Sequence, residues 1–210
     1  MDEVCIVFNF NGVLVNTRSL AVQLFNQIAA TKGFQSIQPD QVEELSRLSI
    51  RNRCKLLGVP WHQMPIVGML IKAGYQDAFP TMRAVKGISK LLHDLKDRNI
   101  KIGFITSNSQ KATREFLPNN QMDFFDYEYF SSNPFTKFRD LNQFCKKFNL
   151  KKEDLIYVGD ELRDIKAANR SGIKSIGVTW GYDSSALLQQ GKPALIAAKP
   201  DEILSFIEGE

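Results

Sequence analysis

The chain has 210 residues, of which 43% are hydrophobic, and a formal net charge of +4. This length and composition suit one α/β domain that carries an insertion, with ample apolar residues for a core. The order of the residues leaves no membrane-spanning stretch of ~20 apolar residues. The charge pattern argues against a nucleic-acid partner, because basic residues are interleaved with acidic ones.

The amino terminus and the cysteines predict a cytoplasmic location. The chain begins with the acidic Met1-Asp2-Glu3, and the apolar run that follows is too short and too interrupted for a secretory signal. The three cysteines, Cys5, Cys54 and Cys145, are scattered and lack CxxC or Cys/His spacing. We therefore expect reduced, mostly buried thiols.

Strand and helix patterns alternate along the chain. An apolar run rich in β-branched residues predicts a first strand at residues 4–8, which delivers residues 9–12 to the carboxyl end of a sheet. Residues 17–80 contain no strand pattern. Three helices are predicted there, at 20–30, 41–57 and 64–74, and Asp40 with Glu43 forms a predicted capping box before the second helix.

The pattern after residue 80 continues the alternation. It predicts strands at residues 100–105, 127–130, 155–158, 175–180 and 194–197. It predicts helices at residues 84–97, from near Ser109, and at 138–148, 162–171, 184–190 and 202–207. The expected fold is α/β, with a parallel sheet, helices on both faces and a helical insertion.

Polar residues follow two of these strands. Asn9 and Asn11 follow the first strand, at the edge where ligands bind in open α/β sheets. Thr106, Ser107 and Asn108 end another strand just before a helix, where hydroxyls and backbone N–H groups suit a phosphoryl group. The alternative is that Ser and Asn here are ordinary helix caps.

Two acidic residues follow the strand at residues 155–158. Asp160 lies at the sheet edge and Asp164 lies one helical turn further on. Their hard oxygen atoms suit Mg²⁺, which is usually held by one or two carboxylates with water and substrate phosphate. In the alternative interpretation Asp160 caps the helix, and Asp164 pairs with Arg163 or Lys137.

Four short motifs, in this order, resemble those of the haloacid dehalogenase superfamily, and within it the phosphoglycolate-phosphatase-like branch with a small helical cap. The motifs are Asn9 to Val13, Thr106 at the end of its strand, Lys137, and the Gly-Asp-Glu-Leu-Arg-Asp run at 159–164.

The resemblance implies a Rossmann-like core at residues 1–16 and 81–210 and a cap at residues 17–80. It also implies Mg²⁺ as cofactor, with Asn9, Asn11, Asp160 and Asp164 at the metal positions. Lys137, otherwise an ordinary solvated charge, would bridge the phosphate and the carboxylates.

Asn9 and Asn11 depart from the family pattern, which has aspartate at both positions. In the resembled mechanism the first aspartate attacks phosphorus, and the second protonates the leaving group and then activates water. A neutral amide is a poor nucleophile, and it exchanges no proton near neutral pH. Losing general acid/base help alone typically costs ~10²- to 10⁴-fold. The sequence therefore predicts little or no turnover, and weak or absent Mg²⁺ binding.

Two functions fit these residues. One is a phosphatase scaffold for a small phosphorylated metabolite, with turnover absent or strongly impaired. The other is a non-catalytic regulatory protein, or pseudophosphatase, that still binds inorganic phosphate or a similar anion. The asparagines fit a natural pseudoenzyme, an engineered trap or an unusual active enzyme, and Asn16, where relatives commonly have Asp, favours the natural origin.

A basic run in the insertion forms either an anion-attracting surface or a solvated face, with Arg47, Arg51, Arg53 and Lys55 as its members.

Overall fold

The structure is a computed structural model that describes residues 4–133 and 135–209, apart from the side chains of residues 77 and 80. The described residues form a six-stranded sheet in the order β3-β2-β1-β4-β5-β6, in which all neighbouring strands are parallel. The strands are β1 Cys5–Asn9, β2 Lys101–Thr106, β3 Tyr127–Phe130, β4 Leu155–Gly159, β5 Lys174–Val178 and β6 Leu195–Ala197. The predicted α/β fold with a parallel sheet is confirmed.

Helices connect and cover these strands. They are α1 Arg18–Lys32, α2 Val42–Ser46, α3 Ile50–Leu56, α4 Met64–Ala78, α5 Ile88–Asp97, α6 Gln110–Asn119, α7 Lys137–Phe148, α8 Leu162–Ser171, α9 Ser185–Gln189 and α10 Pro200–Glu208. Short 3₁₀ turns lie at Pro39–Gln41, Trp61–Gln63, Phe79–Thr81 and Lys152–Asp154. Helices α1 to α4 all fall between β1 and β2, and residues 18–78 are called the helical segment below. None of the described helices has the length and apolar content needed to cross a bilayer.

The prediction of one helix at residues 41–57 is wrong, because this stretch forms two helices, α2 and α3. Ser49 caps α3, its hydroxyl accepting a hydrogen bond from the Asn52 N–H at 3.4 Å. The Arg53 side chain then donates to the Leu45 carbonyl at 2.7 Å, which satisfies an acceptor at the end of α2. The same carbonyl also accepts from the Leu48 N–H at 3.0 Å, so the end of α2 is closed by a turn and α3 starts at its own cap.

Two other local predictions need correction. The capping box before α2 is formed by Gln38 and Gln41, not by Asp40 and Glu43, since the turn already begins at Pro39, whose fixed φ suits a first helical position. The helix predicted from residue 84 begins at Ile88 in α5. Residues 84–85 are instead extended, because they pair with residues 14–15 on the way back from the helical segment.

The sheet has a hydrophobic cluster on each face. Strand β1 is central and all five of its residues are buried, as expected for a strand covered on both sides. Ile6 and Phe8 face one cluster, while Cys5 and Val7 face the other, in accordance with the two-residue period of a strand. The helical segment has a smaller cluster of its own, consisting of Phe25, Ala29, Leu45, Cys54, Leu57, Val59 and Val67.

Candidate active site

The carboxyl ends of three central strands meet at one edge of the sheet. Asn9 ends β1, Thr106 ends β2 and Gly159 ends β4, and the parallel registers place these ends side by side. The sheet therefore brings together residues that are about 150 positions apart in sequence, at the edge where open α/β sheets bind their ligands.

A tight turn after β1 lies directly against Asp160. Gly12 has a φ of 83°, and a Cβ atom at this position would lie 2.1 Å from Oδ2 of Asp160. Its N–H donates to the Val15 carbonyl at 2.9 Å, which closes the turn. Glycine is therefore required here both for its left-handed backbone and for the close approach of the carboxylate.

The Asn9 amide makes three hydrogen bonds at the centre of the site. Its Nδ2 group donates to the Asn11 carbonyl at 2.9 Å and to Oδ1 of Asp160 at 3.1 Å. Its Oδ1 atom accepts from Nζ of Lys137 at 2.7 Å. Because the lysine can only donate and the two oxygen atoms accept, this set of partners fixes the orientation of the amide.

Asn11 and Asn108 form a reciprocal amide pair. Nδ2 of Asn11 donates to Oδ1 of Asn108 at 3.1 Å, and Nδ2 of Asn108 donates back at 2.8 Å. The Asn108 N–H donates to Oγ1 of Thr106 at 3.1 Å. Asn108, a predicted phosphate-binding residue, is buried. Its side chain holds Asn11 in position. Ser109 caps α6, as expected for a helix that begins near it.

Lys137 begins α7 and contacts the acidic side of the site. Its ammonium lies 2.7 Å from Oδ1 of Asp164, and its side chain is 14% exposed. Asp164 is fully buried, and its Oδ2 accepts from the Glu161 N–H at 3.1 Å. Asp164 therefore pairs with Lys137, whereas Arg163 pairs with Glu161. The N-cap of α8 is Glu161, not Asp160.

Asp160 is fully buried beneath Asn9. Its Oδ1 accepts from Asn9, and its Oδ2 accepts from the Tyr182 N–H at 3.0 Å. Burial is the largest cause that raises the pKa of Asp160 well above its usual range, and the charges of Asp164 and Glu161 raise it further. The raised pKa partly reflects repulsion between the charge of Asp160 and those of Asp164 and Glu161. Another carboxylate in contact with Asp160 would increase this repulsion unless a cation were bound.

These side chains do not fit a magnesium ion in this arrangement. The main-chain carbonyl of Asn11 and Oδ1 of Asp160 are oxygen atoms of the kind that could hold a cation, but both accept from the Asn9 amide. Within residues 4–133 and 135–209 no group of three His, Cys, Asp or Glu side chains is arranged to hold a metal ion. Metal binding through Asn9, Asn11, Asp160 and Asp164 stays a prediction, and this hydrogen bonding favours weak binding.

A cavity of about 270 Å³ lies between the sheet edge and the helical segment. Five of the predicted site residues line it, namely Asn9, Asn11, Thr106, Ser107 and Lys137. Asn108, Asp160 and Asp164 are buried and do not line it. Among the predicted site residues, the two carboxyl groups thus lie behind the cavity wall, while the neutral polar groups and Lys137 face the cavity.

The basic run of the insertion divides in two. Arg47, Arg51 and Lys55 are exposed, as expected for a solvated face. Arg53 lines the cavity and forms an ion pair with Asp183. Burial, followed by the charge of Glu161, raises the pKa of Asp183 to about 6, although the nearby Arg53 opposes this shift.

Residues after β5 were missed by the sequence analysis. The Tyr182 hydroxyl lies 2.8 Å from the Tyr75 hydroxyl and 2.9 Å from Oγ1 of Thr17, so the three hydroxyls form a partly buried chain between the helical segment and the sheet. Burial raises the pKa of Tyr75 to about 12, so its hydroxyl stays protonated. The available signal was position, since Tyr182 follows a strand that ends at the same sheet edge.

Comparison with known proteins agrees with this geometry. Residues 6–178 match the family model for haloacid dehalogenase-like hydrolases, and the chain belongs to this family. It is 28% identical over 204 residues to the phosphoglycolate phosphatase of Synechococcus elongatus, covering 96% of each chain. The predicted resemblance to phosphoglycolate phosphatase is confirmed.

Solved structures share the fold. A predicted phosphatase from Clostridium acetobutylicum matches with a TM-score of 0.81 and 18% identity over 100% of both chains. The structure of CbbY from Rhodobacter sphaeroides, determined in complex with phosphate, matches with a TM-score of 0.68 and 15% identity, covering 97% of this chain and 96% of that one.

Proposed function

We propose that the protein is a phosphatase-like member of its family that binds inorganic phosphate or a small phosphorylated metabolite without hydrolysing it at an enzymatic rate. The observation that carries this proposal is the bonding of the Asn9 amide to the Asn11 carbonyl and to Asp160. The amide occupies the position of the nucleophile, and its N–H groups satisfy the oxygens that a cation would need.

The part of the site that faces the cavity supports anion binding. Lys137 donates a hydrogen bond to Oδ1 of Asn9 and forms an ion pair with Asp164. Because an ammonium has three N–H donors, it can also donate to a ligand in the cavity, beside Thr106 and Ser107, which precede the amino end of α6. Asparagine at positions 9 and 11 also removes two negative charges that would repel a phosphate dianion.

Two further parts of the proposal concern the domain organisation and the location of the protein. Residues 17–80 act as a cap over a core formed by residues 1–16 and 81–210, because the helical segment covers one side of the cavity. A cytoplasmic location is supported by the three cysteines, which are buried and form no disulfide. A slow phosphatase is the second candidate function, and it is favoured by the buried carboxyl groups of Asp160, which contacts Asn9, and Asp164, which pairs with Lys137.

Titration calorimetry with inorganic phosphate tests anion binding. We expect millimolar or tighter binding to the wild-type chain and a loss of at least ~10-fold in Lys137→Gln, because a hydrogen bond to a charged group contributes ~1.5–3 kcal/mol. Lys166→Gln is the matched control, since Lys166 is exposed on α8 and lies outside the cavity.

Circular dichroism of both variants separates lost binding from lost folding. The proposed anion site would be contradicted if the wild-type chain bound no phosphate at millimolar concentration. It would also be contradicted if a folded Lys137→Gln variant bound phosphate as well as the control does. The function would then have to be sought elsewhere on the surface.

A further inference from the structure

The cavity extends from the polar site into the interior of the helical segment. One end is formed by the sheet-edge residues Asn9, Thr106 and Lys137. At the other end it reaches side chains of the hydrophobic cluster of the helical segment, including Phe25, Leu45 and Leu57. Its volume of about 270 Å³ is near the lower limit of the range for small-molecule sites, ~300–1,000 Å³. There is therefore room for a chemical group beyond a phosphate.

The wall of this deeper part is apolar. Val22 of α1 and Val67 and Ile71 of α4 line it, together with the cluster residues. Side chains that face an empty volume lack the dispersion contacts of a packed interior. An apolar group in the cavity would supply those contacts and would be removed from water at the same time.

The charged side chains on the wall already have protein partners. Arg53 donates to the Leu45 and Ser46 carbonyls and pairs with Asp183. Arg163 pairs with Glu161. A second anionic group on the ligand, such as the carboxylate of glycolate, would have to compete with these contacts.

The other two cations also contact backbone carbonyls. Arg18 donates to the Val42 carbonyl at 3.2 Å, and Lys72 donates to the Ser132 carbonyl at 3.3 Å. The Lys137 ammonium thus lies at the sheet-edge end of the cavity, and the deeper wall around Phe25, Leu45 and Leu57 is mainly apolar.

An aromatic ring at the cavity adds an independent observation. Phe135 lines the cavity, yet its side chain is among the large apolar groups that remain exposed. It lies so close to α4 that a Cβ atom on Gly68 would be 2.6 Å from its Cζ atom. An apolar ligand would cover this ring, whereas a small hydrophilic ligand would leave it in water.

We propose that the ligand is a phosphate monoester of an apolar alcohol, with the phosphate beside Lys137 and the hydrocarbon in the cavity of the helical segment. This inference rests on the proposed function, because the phosphate must bind at the sheet edge. It narrows that function to a ligand class different from the small, doubly acidic phosphoglycolate.

A series of alkyl phosphates tests the proposal. Calorimetry with methyl, butyl and hexyl phosphate and with phosphoglycolate should show affinity rising about three- to fourfold for each added methylene. Hexyl phosphate should bind at least ~10²-fold more tightly than methyl phosphate. Phosphoglycolate should bind no more tightly than methyl phosphate.

Two tryptophan variants on one helix locate the hydrocarbon. Val22→Trp fills the cavity from α1, so it should abolish the dependence on chain length and leave the affinity for inorganic phosphate unchanged. Gln23→Trp is the matched control, because Gln23 is exposed and lies outside the cavity, and it should retain the full chain-length dependence.

The outcomes separate this inference from the proposed function. If inorganic phosphate binds but affinity does not rise with chain length, the apolar ligand is wrong and the anion site stands. The same holds if phosphoglycolate binds most tightly. If none of the phosphates binds, both proposals are wrong.

Discussion

Phosphate release by the wild-type chain should stay at background with magnesium present, whereas the double variant Asn9→Asp/Asn11→Asp should release phosphate at least ~10²-fold faster. The variant supplies a carboxylate nucleophile at the end of β1 and an acid/base group two residues later. Lys137, Thr106 and Asp160 already surround these positions. We propose that these three residues supply the remaining parts of a phosphoryl-transfer site.

The measurement is phosphate release from a panel of phosphomonoesters that includes the alkyl phosphates. The single variants Asn9→Asp and Asn11→Asp are the controls, and each should remain well below the double variant because both groups are needed in one reaction. Wild-type turnover of ~1 to 10³ s⁻¹, abolished by Asn9→Ala, would contradict the prediction.

Asn9→Asp alone should make the stability of the fold depend on magnesium. A carboxylate at position 9 cannot donate to the Asn11 carbonyl and Asp160, which are now bonded to the amide at 2.9 and 3.1 Å. It would instead repel a fully buried carboxylate. Without metal we expect a loss on the order of 3 kcal/mol in the free energy of unfolding.

Magnesium should reverse this loss in the variant. Binding at ~100 times the dissociation constant stabilises a folded state by about 2.7 kcal/mol. Urea denaturation in chelator and in millimolar magnesium measures the effect, and the wild-type chain is the control, with an expected change below ~0.5 kcal/mol. A wild-type chain that magnesium stabilises as strongly as the variant would show that Asn9 does not exclude the ion.

The sheet and much of the site could be predicted from the sequence because their signals are local. The buried strand β1 is a continuous apolar run, and Asn9, Thr106 and Asp160 each follow such a run. Lys137 has no comparable pattern around it, and only its position among the family motifs indicated its place near Asn9. That contact joins residues 128 positions apart.

The remaining features depend on side-chain orientation in three dimensions. The break between α2 and α3 is marked by the Ser49 cap and by the contact of Arg53 with the Leu45 carbonyl, which a helical period does not reveal. The orientation of the Asn9 amide is set by Lys137 on one side and Asp160 on the other. An asparagine at this position indicates lost nucleophilicity, but it does not indicate which atoms its N–H groups will contact.

The three buried thiols allow local unfolding of two regions of this protein to be measured separately. Cys54 lies in the helical segment, where its Sγ contacts Sδ of Met64 at 3.3 Å, whereas Cys5 and Cys145 lie in the cluster on one face of the sheet. Burial raises the pKa of the Cys54 and Cys145 thiols, so a thiolate-specific reagent modifies each mainly when its surroundings open. Modification of Cys54 in α3 should therefore report local opening around the cavity, and modification of Cys145 should report opening of α7 from the sheet.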